Sequence, residues 1–413
     1  EESNIARTYM ARGDLPNALK ICEKLQAPLL FGRYYLLKKE YRLAKEEFGR
    51  KLPAAEKERA INDMLASYTG YALACEGLKE YDLAARYYKK AVSALEKMRS
   101  QLAASQRFYF FSAEDRTEPY EGLVRVSQYT NKDIRGSFYY AEFTRSQLFT
   151  ESAAKRYGAP ETRIPADIAN TETRLADKIA ATYKEMETAF EDKDTNRYKE
   201  LETQLSNEQK EQGMFIEKLR KNYPEYASVM YPQPVYPEDI VMKPDEVIIE
   251  YEVTAPYTEV FVIKGNKIVY TGKIQIPRKE LSELAKKYRS YFEGLTKSSQ
   301  LTAYNPQTGN KLYNLLLKDI FEKKDPAGHI IISKSAKIII MPDEILGILP
   351  FESLVTAFPE KLHMPSGKFG PVPVGVKYVG DEYDIVYYHS STALTMQRNK
   401  KRKNAAEKSL LVI

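Results

Sequence analysis

The chain has 413 residues, more than the ~100 to 200 of an ordinary single domain, so two or three folded units are expected. Hydrophobic residues make up 43% of the sequence and charged residues 29%, a composition that excludes the disordered and membrane classes. The formal net charge of +6, from 63 basic and 57 acidic residues, indicates no general attraction to nucleic acid or acidic lipid.

The sequence has no sign of export or of a membrane segment. No apolar run approaches the ~18 residues that a bilayer span needs, and the first residues lack both a basic start and an apolar signal core. The two cysteines, Cys22 and Cys75, are few for a protein of this size that depends on disulfides. We therefore expect a cytoplasmic protein.

The two ends of the sequence predict a fragment of a longer protein. The chain begins without Met inside a helical pattern. It stops at an apolar β-type run, residues 409–413, with no turn or polar flank after it.

Three segments near the start share one pattern. Each places a bulky residue three positions before an alanine and another large residue four positions after it. The three sets are Leu15, Ala18 and Cys22; Tyr41, Ala44 and Phe48; and Tyr81, Ala84 and Tyr88. Small residues upstream, such as Gly32 and Ala72, recur at a matching offset. Because a small residue on one helix leaves room for a ring on its partner, the pattern predicts a repeated pair of helices.

These pairs resemble the tetratricopeptide repeat. The third copy matches best, and the residues at its signature positions are Tyr68, Tyr71, Ala72, Ala84, Tyr88 and Ala91. The uneven spacing of the copies indicates a degenerate array, to which we assign residues 1–160. Such an array usually displays a surface for a protein partner or a peptide segment, although a structural spacer is the alternative. Cys22 and Cys75 fall on buried signature positions, which favours a core role over a nucleophilic one.

Further helices follow the repeats. Residues 137–156 predict one helix, and residues 161–223 predict two long helices joined by a polar turn at 191–195, which form an antiparallel hairpin. Prolines then recur through residues 224–244 and exclude helix there. We interpret that stretch as an extended linker between two domains.

The remaining segment, 245–413, changes to strand periodicity. Apolar runs at 247–253, 260–263 and 268–270 predict an antiparallel meander, because Gly265 and Asn266 form a turn pair that tolerates positive φ. Helices are then predicted at 278–295 and 309–323, and another at 391–398. Further strands are predicted at 338–341, 385–388 and 410–413. This alternation indicates a partly parallel α/β sheet covered by helices.

The segment 340–343, a strand ending in Pro-Asp, precedes Leu-Pro-Phe-Glu-Ser-Leu at 349–354 after a short spacer. This pattern resembles the CHAT family of caspase-like domains, which occur attached to tetratricopeptide repeats. Residues 141–146 are similar to the Glu-x-x-Arg helix that precedes such domains, 249–251 to their opening strand, and 388–391 to a Ser-rich turn before the next helix. The fold class expected is therefore a multidomain one, with helical repeats and a hairpin followed by the N-terminal part of a caspase-like α/β domain.

Members of this family are similar to cysteine peptidases, whose catalytic His and Cys follow later strands of the sheet. The resemblance implies that residues 409–413 form the strand before the segment carrying the His, so both catalytic residues are expected beyond Ile413. The parent protein would then cleave a protein substrate. The fragment itself is predicted to be inactive, with no catalytic, cofactor-binding or metal-binding residues of its own.

The residues present do not suggest another active site. The histidines are His329, His363 and His389, and the sheet half contains no cysteine. Ser390 and Ser391 lie beside His389, but without a nucleophile elbow they indicate a helix-capping turn.

Two other features have an ordinary structural interpretation. Asp343 and Glu352 fit turn and loop-anchoring groups better than a catalytic acid pair. No phosphate loop and no metal-ligand spacing occurs. Arg398 opens a dense basic run that continues through Lys400, Lys401, Arg402 and Lys403, a pattern typical of a solvated loop, with a processing site or partner contact as the alternative.

Two functional hypotheses follow. In the first, the repeats bind a protein partner that controls a caspase-like cysteine endopeptidase, and this chain is its regulatory, non-catalytic portion. In the second, the chain belongs to a scaffold or adaptor with a degenerate pseudo-peptidase domain. Binding of nucleic acid through the basic run is a weaker third possibility that no other feature favours.

Overall fold

The computed structural model describes residues 2–100, 102, 110, 116–130, 132–157, 164–223, 226–227, 230–231, 233–293, 305–359, 366–367, 370–371 and 374–399. The chain divides into two compact units, Glu1–Pro234 and Val235–Ile413, with the boundary inside the predicted linker. Among the described helices, none is both long enough and apolar enough to cross a membrane.

The first unit is helical in its described parts. Its helices are α1 (Glu2–Ala11), α2 (Leu15–Leu25), α3 (Pro28–Leu37), α4 (Tyr41–Lys57), α5 (Ile61–Gly77), α6 (Tyr81–Ser100), α7 (Glu118–Ser127), α8 (Ile134–Tyr157), α9 (Ala166–Glu191) and α10 (Thr195–Asn222). The first eight pack as successive pairs, and each pair also contacts the next. The paired helices predicted from the small and aromatic residues are therefore confirmed.

Short turns make the pairing possible. Asp14 begins α2 by accepting a hydrogen bond from the Asn17 backbone N–H. Lys39, Arg59 and Lys79 follow α3, α4 and α5 in the left-handed backbone region, with φ of 60°, 51° and 63°. A single left-handed residue after a helix reverses the chain quickly, so consecutive helices lie side by side.

Glycines facing rings explain how closely the helices approach. The ring of Phe48, on α4, lies against Gly32 and Gly70. A Cβ built on Gly70 would be 2.2 Å from Phe48 Cζ, and one built on Gly122 would be 2.2 Å from Tyr88 Cζ. Any side chain at these glycines would force the helices apart.

The helices α9 and α10 form the predicted hairpin. Asp194 begins α10 by accepting from the Arg197 backbone N–H at 2.9 Å, and Lys193 makes the turn with φ of 59°. The apolar seam between the two helices consists of Ile179, Met186, Ala189, Tyr198, Leu201 and Leu205. At mid-length Thr182 donates to the buried Glu208 at 2.8 Å.

The second unit contains a five-stranded mixed sheet. Its strands are β1 (Glu246–Val253), β2 (Thr258–Lys264), β3 (Lys267–Ile274), β4 (Lys337–Met341) and β9 (Asp384–Tyr387), in the order β3-β2-β1-β4-β9. The first three strands form the predicted antiparallel meander, whereas β4 pairs parallel with β1 and β9 parallel with β4. The partly parallel α/β sheet is confirmed at this level.

Helices and short elements cover the sheet. They are α11 (Arg278–Ser290), α12 (Pro306–Leu316), α13 (Lys318–Phe321), β5 (Val355–Ala357), β6 (Ser366–Gly367), β7 (Gly370–Pro371), β8 (Lys377–Tyr378) and α14 (Ser391–Asn399), with 3-10 turns at Glu344–Ile348, Phe351–Ser353 and Val379–Asp381. The main apolar core packs α11 and α12 against the sheet face that carries Ile249, Tyr251 and Ile340.

The opposite face of β1 carries buried acidic residues. Glu246 is 1% exposed and accepts two hydrogen bonds from Arg398 of α14, at 2.6 and 2.7 Å. Glu250 is 0% exposed and accepts from Ser391 at 2.8 Å. The helix α14 is thus fastened to this face through polar side chains.

Several boundaries differ from the prediction. The stretch 224–244, expected to exclude helix, is helical at 226, 227 and 230, which pack in a core cluster with Leu219 of α10, and it has a 3-10 turn at Pro237–Asp239. The single helix expected over 309–323 is two helices, because Leu317, with φ of −124°, interrupts the helical backbone between them. Arg398, expected in a solvated loop, is helical and ion-paired with Glu246 at 2.6 Å. The strand predicted at 409–413 and the basic residues at 400–403 lie outside the described residues.

Candidate functional site

The carboxyl ends of β1 and β4 meet at Asp343. Asp343 follows β4, and its Oδ2 accepts a hydrogen bond from the Val253 backbone N–H, the last residue of β1, at 2.8 Å. Arg278, at the start of α11, donates to the Val253 carbonyl at 2.7 Å and pairs with Glu344 at 3.0 Å. The Pro-Asp turn therefore fixes the edge of the sheet where loops of α/β proteins carry their sites.

The Leu-Pro-Phe-Glu segment reaches the next strand. The Phe351 backbone N–H donates to the hydroxyl of Tyr387, on β9, at 2.8 Å, and that hydroxyl donates to Glu352. Burial and the neighbouring Glu352 carboxylate raise the pKa of Tyr387, so its proton stays in place as a donor. Glu352 is engaged by this hydroxyl as an anchoring group.

His389 and the two serines after it lie at the end of β9. Ser390 is buried, and its Oγ accepts a hydrogen bond from the Ala393 backbone N–H at 3.0 Å. This bond caps the start of α14. Ser391 donates to the buried Glu250. Burial lowers the pKa of His389, so the ring is neutral near pH 7. The two hydroxyls therefore serve the helix start and the sheet.

The other titratable candidates are dispersed. His329 is exposed and lies 3.7 Å from Asp325 within its own turn, and His363 falls outside the described residues. Cys22 and Cys75 are in α2 and α5 of the helical unit, both 0% exposed. Burial raises the pKa of both thiols, to about 12 for Cys75, so neither is a thiolate near neutral pH. In the described ranges no group of three or more His, Cys, Asp or Glu side chains is placed to hold a metal ion.

A buried ion cluster links three helices of the first unit. Arg125, on α7 and 2% exposed, donates to both carboxylate oxygens of Glu76 on α5, at 2.8 and 3.0 Å. Arg125 also donates to Glu118 at 2.5 Å, and Tyr88 on α6 donates to Glu76 at 2.6 Å. The pKa of Glu118 is raised to about 7, mainly by burial and also by the nearby carboxylates of Glu121 and Glu76, against the lowering effect of Arg125. The cluster therefore fixes the spacing of α5, α6 and α7.

A cleft opens on the surface of the same unit, between α6 and the turn that joins α7 to α8. Its volume is about 580 Å³, and it is lined by Asp82, Ala85, Arg86, Lys89, Thr130, Lys132 and Asp133. The cations of Arg86, Lys89 and Lys132 are exposed and make no ion pair or hydrogen bond within the described part of the chain. Elsewhere on the helix pairs, Lys45 forms a salt bridge with Glu80, and Lys90 forms one with Glu56.

Sequence reasoning did not identify Arg125 or the cleft. The partners of Arg125 on other helices are as far as 49 residues away in the chain, and the cleft combines residues of α6 with a turn beyond α7. No periodicity signals such pairings. The single available hint for the cleft was the i, i+3 spacing of Arg86 and Lys89 on one helix face.

The chain was compared with protein-family models, with curated proteins and with solved structures. No family model, no curated protein and no solved structure matches it.

Proposed function

We propose that this chain is the regulatory, non-catalytic portion of a caspase-like cysteine endopeptidase of the CHAT type. In this proposal the helical pairs are degenerate tetratricopeptide repeats that bind a protein partner, and the partner controls cleavage of a protein substrate. The α/β unit supplies the first strands of the peptidase fold, and the catalytic His and Cys follow on later strands.

The single observation that carries the proposal is that residues of the CHAT-like motif form hydrogen bonds to the ends of neighbouring strands. Its Asp343 holds the end of β1 through the Val253 N–H at 2.8 Å, and its Phe351 and Glu352 hold β9 through the Tyr387 hydroxyl. The motif thus connects the carboxyl ends of three parallel neighbours, β1, β4 and β9. A peptidase that places its thiol and imidazole on loops at this edge needs those strand ends to be fixed.

The helical unit supports the partner-binding half of the proposal. The ring of Phe48 lies against two glycines and the ring of Tyr88 against a third, so each pair stacks on the next as in a repeat array. Such an array buries a continuous core and leaves long helical faces for recognition. The cleft cations, which form no ion pair with any described residue, lie on one of those faces.

The chemistry of the chain supports the non-catalytic assignment. A cysteine peptidase needs a thiolate beside an imidazole. Here the two thiols are 0% exposed in helices of the first unit, and the sequence of the second unit contains no cysteine. The described histidines, His329 and His389, therefore have no thiol partner within their own unit.

The test compares two proteins, this chain and the same chain extended by its downstream coding sequence. Both are incubated with a denatured protein substrate and a peptide library, with and without iodoacetamide. We expect cleavage only by the extended chain, abolished by iodoacetamide, because the thiolate and imidazole are supplied there. Iodoacetamide-sensitive cleavage by this chain alone would contradict the proposal.

The scaffold hypothesis gives a different result in the same assay. An extended chain that folds, shown by a cooperative thermal transition, but cleaves nothing with or without its partner would favour a pseudo-peptidase. The proposal would then fail, whereas the partner-binding role of the repeats would be unaffected.

A further inference from the structure

We infer that the cleft between α6 and the α7–α8 turn binds an acidic, extended segment of a partner protein. This inference deepens the proposed function and rests on it for the idea that the repeats recognise a protein. It adds the place of contact and the chemistry of the ligand.

The charge of the cleft favours an anionic ligand. Arg86, Lys89 and Lys132 make no ion pair within the described residues, whereas the acidic groups of the cleft have local roles. Asp133 accepts from the Gly136 backbone N–H at 2.7 Å at the start of α8. Asp82 lies in the first turn of α6, where the helix dipole favours a carboxylate. Within the described residues the three cations outnumber the two carboxylates of the cleft and are therefore available to an outside partner.

The cleft is also held in shape before any ligand arrives. Its lining includes the buried Ala85, and the rings of Tyr81 and Tyr129, which adjoin the lining residues Asp82 and Thr130 in the chain, stack with centroids 4.1 Å apart and planes 10° apart. The Asp133 backbone N–H donates to the carbonyls of Ser127 and Thr130 at 3.0 and 3.2 Å, which holds Asp133 against the end of α7. A preformed site loses less conformational entropy on binding than a mobile one.

The shape and lining favour a peptide over a small anion. The volume of about 580 Å³ exceeds what one inorganic anion fills, and lies in the ~300 to 1,000 Å³ range of ligand sites. Arg86 and Lys89 are one helical turn apart on α6, and Lys132 lies across the cleft, so the cations are spread along its walls. Tyr129, which precedes the lining residue Thr130 in the chain, is 50% exposed. Several carboxylates on one extended chain match this arrangement.

The experiment measures binding of a fluorescein-labelled, glutamate-rich peptide of about ten residues by anisotropy, using the whole chain. Three proteins are compared: the unaltered chain, Arg86→Glu/Lys89→Glu, and the control Lys199→Glu/Lys210→Glu. The control changes the same number of charges at exposed lysines of α10 that form no ion pair in the part of the chain the structure describes. A cooperative unfolding transition at an unchanged temperature checks that each variant is folded.

We expect the cleft variant to bind at least about tenfold more weakly than the unaltered chain, and the control within about twofold, since only the first loses contacting charges. Affinity of the unaltered chain should fall as salt is raised. Equal losses in both variants would mean that net charge alone attracts the peptide, and no binding at low salt would mean that the cleft takes no such segment. Both results would overturn the inference.

Two competitors distinguish an acidic peptide from other anionic ligands. Millimolar inorganic phosphate is expected to displace the labelled peptide poorly, and any binding of a thymidine oligonucleotide is expected to be the same in the cleft variant as in the unaltered chain. Displacement by phosphate, or oligonucleotide binding lost in the cleft variant, would overturn the peptide assignment.

The cleavage assay is independent of these titrations. An extended chain that is inactive but binds the peptide contradicts the proposed function alone, and an active one that does not bind it contradicts the cleft alone.

Discussion

Arg125 and Glu76 form a two-bond ion pair inside the helical unit although they are 49 residues apart in the chain. Arg125 is 2% exposed and also contacts Glu118 and the Tyr88 hydroxyl. Because a buried charge without a partner is costly, this pair requires α5, α6 and α7 to keep one arrangement. It is the clearest tertiary constraint in the first unit.

Replacing Arg125 by Met should destabilise the helical unit by about 3 to 5 kcal/mol, because the mostly buried carboxylates of Glu76 and Glu118, each 19% exposed, would lose their cation. Urea unfolding followed by circular dichroism measures the change. Arg50→Met is the control, since its pair with Glu47 leaves the Arg50 side chain 63% exposed, and should cost less than about 1 kcal/mol. Equal effects of the two substitutions would contradict the role given to Arg125.

Stability should depend on pH through Glu118. Its pKa is about 7 in the folded protein against an ordinary 4.5, so the folded state binds the proton more tightly than the unfolded state. This contribution is fully present below about pH 4.5 and is lost as the pH rises to about 7, by up to roughly 3 kcal/mol.

The measurement compares the unfolding free energy of the unaltered chain with that of Glu118→Gln from pH 4.5 to 8. The amide carries no charge at any of these values, so the difference between the two proteins isolates Glu118. We expect the unaltered chain to lose stability relative to the variant as the pH rises. A difference that stays constant would show that Glu118 titrates normally.

Gly70→Ala should destabilise the protein by about 1 to 3 kcal/mol, because the new Cβ would lie 2.2 Å from the Phe48 ring. The control is Gly213→Ala in the interior of α10, where nothing beyond the adjoining residues and backbone of its own helix lies within 4 Å of the new Cβ. That substitution should stabilise by about 0.5 to 1 kcal/mol, since alanine favours helix over glycine. Thermal unfolding of both variants should therefore shift in opposite directions, and shifts of the same sign would argue against the close contact.

Arg398→Ala should weaken the attachment of α14 to the sheet by about 3 kcal/mol, because Glu246 is 1% exposed and loses both of its bonds to the guanidinium. Hydrogen exchange of the β1 amides, residues 246–253, measures the effect directly. Arg197→Ala, which breaks an exposed pair with Glu185, should leave that exchange unchanged. Unaltered β1 protection in Arg398→Ala would mean that α14 contributes little to holding this strand.

Much of the fold could be predicted from local patterns in the sequence. The positions of Ala18, Ala44 and Ala84 predicted the helix pairs, and the turn pair Gly265 and Asn266 predicted the β2–β3 hairpin. These signals succeed because a helix pair or a hairpin is decided by residues close together in the chain. The exact ends were less accurate, as the division of the 309–323 helix at Leu317 shows.

The buried polar contacts could not be predicted from the sequence in the same way. The alternation of Glu246, Glu250 and Glu252 along β1 suggests a solvent-facing side, yet all three are buried. The partners of the first two, Arg398 and Ser391, come from α14, more than 140 residues later. Burial of a charge is decided by such distant partners, and one sequence contains no local sign of them.

The central claim, that the helical unit regulates and does not catalyse, is tested most directly by removing its thiols from the extended protein. Cys22→Ala/Cys75→Ala is prepared in the chain extended downstream, and iodoacetamide-sensitive cleavage of a protein substrate is measured beside the unaltered extended protein. Because both thiols are buried with raised pKa values, we predict that the rate of cleavage is retained. Loss of cleavage in a variant that still unfolds cooperatively at the same temperature would contradict the account.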